Sequence, residues 1–279
     1  MAAGYWRDVV SEGLSVPTDR PLDDLTAELT TMLGATDPEL RDGIALPALS
    51  TWLERGVYDD LLAALGDGMA TGLGVGLGEE YTDTVFRRCA SVRVLTQVLR
   101  RDTSQRLLTG DQVLRWGDQI ATWFLSERDV RGWVPDKGWA HALAHGADAI
   151  GALAASPHLS APELTVLLDV LADRLAASTH QVLIAGEPDR IAAATVAVLR
   201  RDLVQVKVFE PWVARVAAHA GTLGAPQAGD PYLRSGTCQG FLRALYLQLA
   251  LGPAHPADRA DQLLVLVEAL RATNPHHLC

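Results

Sequence analysis

The chain has 279 residues, 48% of them hydrophobic and 21% charged, with a formal net charge of -10. That composition belongs to a folded chain rather than a disordered one. The acidic balance argues against a general nucleic-acid binder, which would carry a basic face. Cys89, Cys238 and Cys279 stand at no metal-like spacing. They suggest a reducing compartment, with Cys89 and Cys238 as small core residues and Cys279 as a free tail thiol. The first residues, MAAGYWRDVVSEG, show neither a basic leader nor a continuous apolar run. No apolar stretch approaches the ~20 residues that cross a bilayer, so a cytoplasmic protein without membrane contact is expected.

In chain order the punctuation is helical. Asp19 and Pro21 open a helix that Gly34 stops, and Asp37-Pro38-Glu39 opens a second, kinked or divided by Pro47 and ended at Gly56. A third runs from Asp59 to Leu65. The glycine-rich run Gly66–Gly78 follows a helix, has no lysine and is flanked by acids, so it reads as close helix packing and a connector, not a phosphate loop. Thr82 or Asp83 caps the next helix, whose stripe is Val85, Phe86, Cys89, Val92, Leu95 and Leu99. Thr109 caps another, with Val113, Trp116, Ile120, Trp123 and Phe124 inward.

Gly132–Ile150, GWVPDKGWAHALAHGADAI, concentrates the chemistry. Asp136 is a plausible N-cap for a helix running from Lys137 to Ala155, with Ala140, Leu143, Ala144, Ala147 and Ile150 on its buried face. On that helix His141, His145 and Asp148, spaced by four and three, project from one side.

Ser156-Pro157 breaks the chain and Ser160-Ala161-Pro162-Glu163 reopens it, with Leu164, Leu167, Leu168, Leu171 and Leu175 as a stripe. Further helices are expected from Pro188 to Arg201, from Glu210-Pro211 to His219, from Gly236 or Thr237 onward, and from Ala257 to Ala272. Gly221–Pro231 reads as a loop and the tail from Thr273 as frayed.

The expectation is an all-α fold of about eleven helices, with no convincing strand. It is a single domain over residues 1–279, with an N-terminal half (20–130), a central segment (131–155) and a C-terminal half (160–272). Antiparallel helix pairs in series give an α-solenoid of the HEAT or armadillo kind, or a closed bundle. An internal echo, VLTQVLRRDT ending at Thr103 and ATVAVLRRDL ending at Leu203, favours the solenoid.

TDTVFRR (82–88), RGWVPDKGWAHALAHGAD (131–148) and FLRALYLQL (241–249) resemble the bacterial domain of unknown function 2785, over about Asp37 to Ala250. The resemblance implies a mainly helical fold and no assigned activity.

Two functions stay open. In the first, a helical-repeat binder holds a small polar or anionic ligand, or a partner segment, with Trp133, Lys137, Trp139, His141 and His145 lining the cleft. In the second, a hydrolase uses His141 or His145 as base or metal ligand with Asp148 orienting it, although the glutamate of a zinc HExxH signature is missing between the histidines. A structural reading competes with both: the histidines satisfy neighbouring helices and Asp148 pairs an arginine. DNA-lesion recognition is a weaker idea, disfavoured by the charge. No cofactor is expected.

Overall fold

A computed structural model describes residues 2–177, 179–221, 230, 232–253 and 255–278. Among them the fold is all-α: thirteen α-helices, a π-helical turn, a 3-10 turn and one two-stranded hairpin. The two helices beyond the expected eleven are α1 (Ala2–Ser11) and the four-residue α13 (Pro275–Leu278). The expected loop over Gly221–Pro231 lies outside the described residues except at Gly221 and Asp230, and so does Cys279.

The chain divides into two compact units, Met1–His145 and Gly146–Cys279. In the first, α2 (Leu22–Met32) is followed by a π-helical turn (Glu39–Ala45) that runs directly into α3 (Leu46–Glu54), with Pro47 in the first turn of α3, at the junction of the two. A 3-10 turn (Asp59–Leu61) leads into α4 (Leu62–Gly72), which packs on α5 (Thr84–Gln105) and α6 (Gly110–Ser126). The Thr109 cap forms as expected: its hydroxyl accepts from the Gln112 N–H, and the Gln112 side chain accepts from the Thr109 N–H. All the expected inward residues of α5 and α6 are buried.

The glycine-rich run does not end α4. The helix passes through Gly66 and Gly68 to Gly72 because its neighbours press against it. A Cβ on Gly66 would sit 2.2 Å from the Trp116 ring, and one on Gly72 would sit 2.2 Å from Ser91 Oγ. At Gly68 nothing lies within 4 Å. Gly66→Ala and Gly72→Ala are therefore expected to destabilise by about 1–2 kcal/mol through overpacking. Gly68→Ala should stabilise by about 1 kcal/mol through helix propensity alone. Urea unfolding midpoints check the opposite signs.

In the second unit, α8 (Ala161–Ala176), α10 (Val206–Ala220) and α12 (Arg259–Thr273) pack in one row, and α9 (Glu187–Leu199) and α11 (Tyr232–Leu251) in a second row beside it. α10 begins five residues before the expected Pro211. Phe209 and Trp212 stack at 5.9 Å on one helical face, and both are buried, so tertiary packing carries the helix across the proline. Lys207, four residues before Pro211, is exposed, and its carbonyl receives no bond from Pro211, which has no N–H.

The sequence echo has a structural counterpart. Arg101 Nη1 donates to the Glu54 carbonyl at the end of α3, while Arg201 Nη1 donates to the Ala154 and Ser156 carbonyls, where the helix ending at Ala155 stops. Asp102 Oδ1 accepts from Leu108 N and Asp202 Oδ1 from Ala257 N. Each Arg-Asp pair thus ties down a helix end behind it and a chain turn ahead.

Candidate functional site

The central stretch departs from its expected helix. Residues 133–139 form an antiparallel hairpin, β1 (Trp133–Val134) and β2 (Gly138–Trp139), pairing Trp133 with Trp139 and Val134 with Gly138. Pro135 fixes the entry to the turn, Lys137 N closes it on the Val134 carbonyl at 3.1 Å, and Asp136 and Gly138 hold positive φ of 62° and 81°. Asp136 is a turn residue and not a helix cap. α7 (Ala142–Ala155) starts only after His141, whose own φ is +57° and whose carbonyl accepts from His145 N at 3.1 Å. The two histidines therefore do not share a helical face: His141 precedes the helix and His145 lies in its first turn.

This backbone places four rings in series. Trp133 and Trp139 meet edge to face at 5.5 Å, Trp139 lies over His141 at 4.9 Å, and His141 meets His145 at 5.7 Å. Both histidines are half-buried, whereas Trp133 is 60% and Trp139 46% exposed. The remaining five tryptophans, Trp6, Trp52, Trp116, Trp123 and Trp212, are all buried. Each of those donates its indole N–H to a protein oxygen, at 2.7–3.0 Å. Among the described residues, the Trp133 and Trp139 N–H groups have no protein acceptor.

The hairpin is held from beneath by residues that the sequence pattern does not single out. Arg41, buried among apolar neighbours, lies over the Phe86 ring at 4.3 Å and donates to the Lys137 and Ala35 carbonyls and to Asp42. A Cβ on Gly138 would come within 3.3 Å of Arg41 Nη2 and 3.4 Å of Pro38 Cβ, so the turn sits closely on this arginine. The approach to the hairpin is fixed by a second buried set. Arg88 and Glu127 form a fully buried bidentate pair at 2.6 and 2.8 Å. Glu127 also accepts from Trp123 Nε1 and Asp129 N. Asp129 in turn holds the Arg131 guanidinium and Tyr81 N, an arrangement that raises the Arg131 pKa through the Asp129 hydrogen bond.

Lys137 is engaged by Asp83 at 2.6 Å. Asp148 accepts from Arg190 Nε at 2.7 Å and from Nη2, which matches the structural reading of an aspartate paired with an arginine. Among the described residues no group of three or more His, Cys, Asp or Glu side chains is placed to hold a metal. Burial pushes the Cys89 thiol well up, and Cys238 Sγ lies 3.5 Å from the Leu175 carbonyl, so both described cysteines behave as core residues. Tyr81, exposed and at φ +59°, completes the outer surface beside the hairpin, with Arg131 5.6 Å from its ring.

A family model described as "Protein of unknown function (DUF2785)" matches residues 73–247, starting later than the resemblance read from the sequence. No curated protein and no solved structure matches the chain. No described helix is long and apolar enough to cross a membrane.

Proposed function

The chain belongs to DUF2785, a family of unknown function, and from its own geometry we propose that it is a helical-repeat binding protein whose Trp133–Trp139 hairpin grips a partner polypeptide segment. One observation carries this reading. A chain that buries and hydrogen-bonds five of its seven tryptophans leaves two large indoles in water, side by side, on a tethered hairpin. Exposed aromatic groups of this size are the usual anchors of interfaces. Backbone strain points to the same place: of six described non-glycine residues with positive φ, Tyr81, Asp136 and His141 all belong to this surface. With Lys137 engaged by Asp83, the weight falls on aromatic contact with a segment rather than on an anionic ligand. His141 backs the Trp139 ring, and His145 in turn backs His141.

Selecting one random peptide library on the native protein and on Trp133→Ala/Trp139→Ala tests the proposal. Peptides that bind the native protein should lose about tenfold or more in affinity on Trp139→Ala, equivalent to at least ~1.4 kcal/mol. Stability should fall by no more than about 1 kcal/mol, because much of the ring is already in water. Equal binding to both proteins would place recognition elsewhere.

A further inference from the structure

We infer that a cleft between α2 and α4, separate from the hairpin, is a binding site for a small amphipathic amine. The cleft has a volume of about 310 Å³, and Ala27, Leu61, Ala64, Leu65 and Met69 supply its apolar lining. That volume suits a small molecule and not a polypeptide segment.

Three features define the occupant. Gly68 lines the cleft, and a Cβ built on it meets nothing within 4 Å. Glycine inside a helix is unfavourable, and here, unlike at Gly66 and Gly72, no neighbour demands it. Gly68 is exposed and adds no side chain at the rim of the cleft. The second feature is a hydroxyl pair, buried Tyr58 and half-buried Thr26, 2.9 Å apart. Thr26 Oγ1 donates to the Leu22 carbonyl at 2.7 Å. The shared proton therefore comes from Tyr58, and the remaining lone pair of the phenol oxygen can only accept. The third is Asp23, the one charged side chain among the described residues that line the cleft. An acceptor within and a carboxylate at the edge both call for a donor, and no cationic side chain among those lining residues provides one. A ligand with an apolar body and an ammonium head meets all three conditions.

The test uses three probes of one shape: phenethylamine, 2-phenylethanol and 3-phenylpropionate, titrated into isotopically labelled full-length protein and followed by backbone amide shifts. Phenethylamine should saturate, moving the amides of Thr26, Ala64 and Gly68, with the alcohol about tenfold weaker and the carboxylate weaker still. Gly68→Leu, a change that favours the helix, should abolish the shifts, and Asp23→Asn should erase the preference of amine over alcohol. Trp133→Ala/Trp139→Ala should leave amine binding unchanged, which separates this site from the hairpin. The inference is overturned if the amine fails to saturate, if the carboxylate binds equally well, or if Gly68→Leu binds like the native protein.

Discussion

Arg88→Met is expected to destabilise the protein by about 3–5 kcal/mol, a large share of the stability an ordinary domain possesses. Arg88 and Glu127 are both fully buried, and removing the guanidinium leaves a carboxylate without its counter-charge in an apolar interior. Trp123 Nε1 and Asp129 N still donate to that carboxylate, but neither neutralises it. The loss spreads beyond the pair, because Arg88 Nη1 also donates to the Val75 and Gly76 carbonyls and to Thr84 Oγ1, tying the end of the glycine-rich run to α5. Adding Glu127→Gln removes the stranded charge and keeps an acceptor for Trp123. The double variant Arg88→Met/Glu127→Gln should therefore recover a substantial part of the loss. Urea unfolding of the two singles and the double closes the cycle. Simple additivity would mean that the two groups are not coupled as described.

The second large effect is expected at Arg41. Arg41→Met keeps most of the aliphatic stem but removes the guanidinium that lies over Phe86 and withdraws donors from the Lys137 and Ala35 carbonyls. Leaving these half-buried carbonyls without a partner, together with the lost bonds to Asp42, should cost about 2–3 kcal/mol. The more telling consequence is local: the hairpin turn loses its anchor. Hydrogen exchange at the Lys137 and Ala140 amides should then accelerate more than exchange within α6. Uniform acceleration would show that Arg41 supports the unit as a whole and not the hairpin in particular.

The helical framework was legible because its signals are local. Thr109 with Gln112, Ser160 with Glu163, and the stripes of α5, α6 and α8 each sit within a few turns of one another, and all appear where the pattern places them. The hairpin was missed because its strands are two residues each, too short for alternation to register. A signal was present all the same. Trp-Val and Gly-Trp flank Pro-Asp-Lys, and a proline followed by a residue tolerant of positive φ is a turn signature. Reading Asp136 as a helix cap then pulled His141 into a helix that starts one residue after it.

Arg41 was beyond sequence reading for a different reason. An arginine in a run of charged residues looks like a solvated surface group, and only the fold reveals that it reaches a carbonyl 96 residues away. Lys137 and Asp148, a ligand-binding and a catalytic candidate in the sequence reading, are each engaged in an ion pair. Their partners, Asp83 and Arg190, are 54 and 42 residues distant, so spacing could not assign them.

The most direct measurement of the central claim is fluorine NMR of protein carrying 5-fluorotryptophan, with resonances assigned by single Trp→Phe changes. A bound peptide from the selection should shift the Trp133 and Trp139 signals while those of Trp6, Trp52, Trp116, Trp123 and Trp212 stay in place. Shifts confined to the buried five, with the hairpin pair unmoved by a bound peptide, would contradict the account.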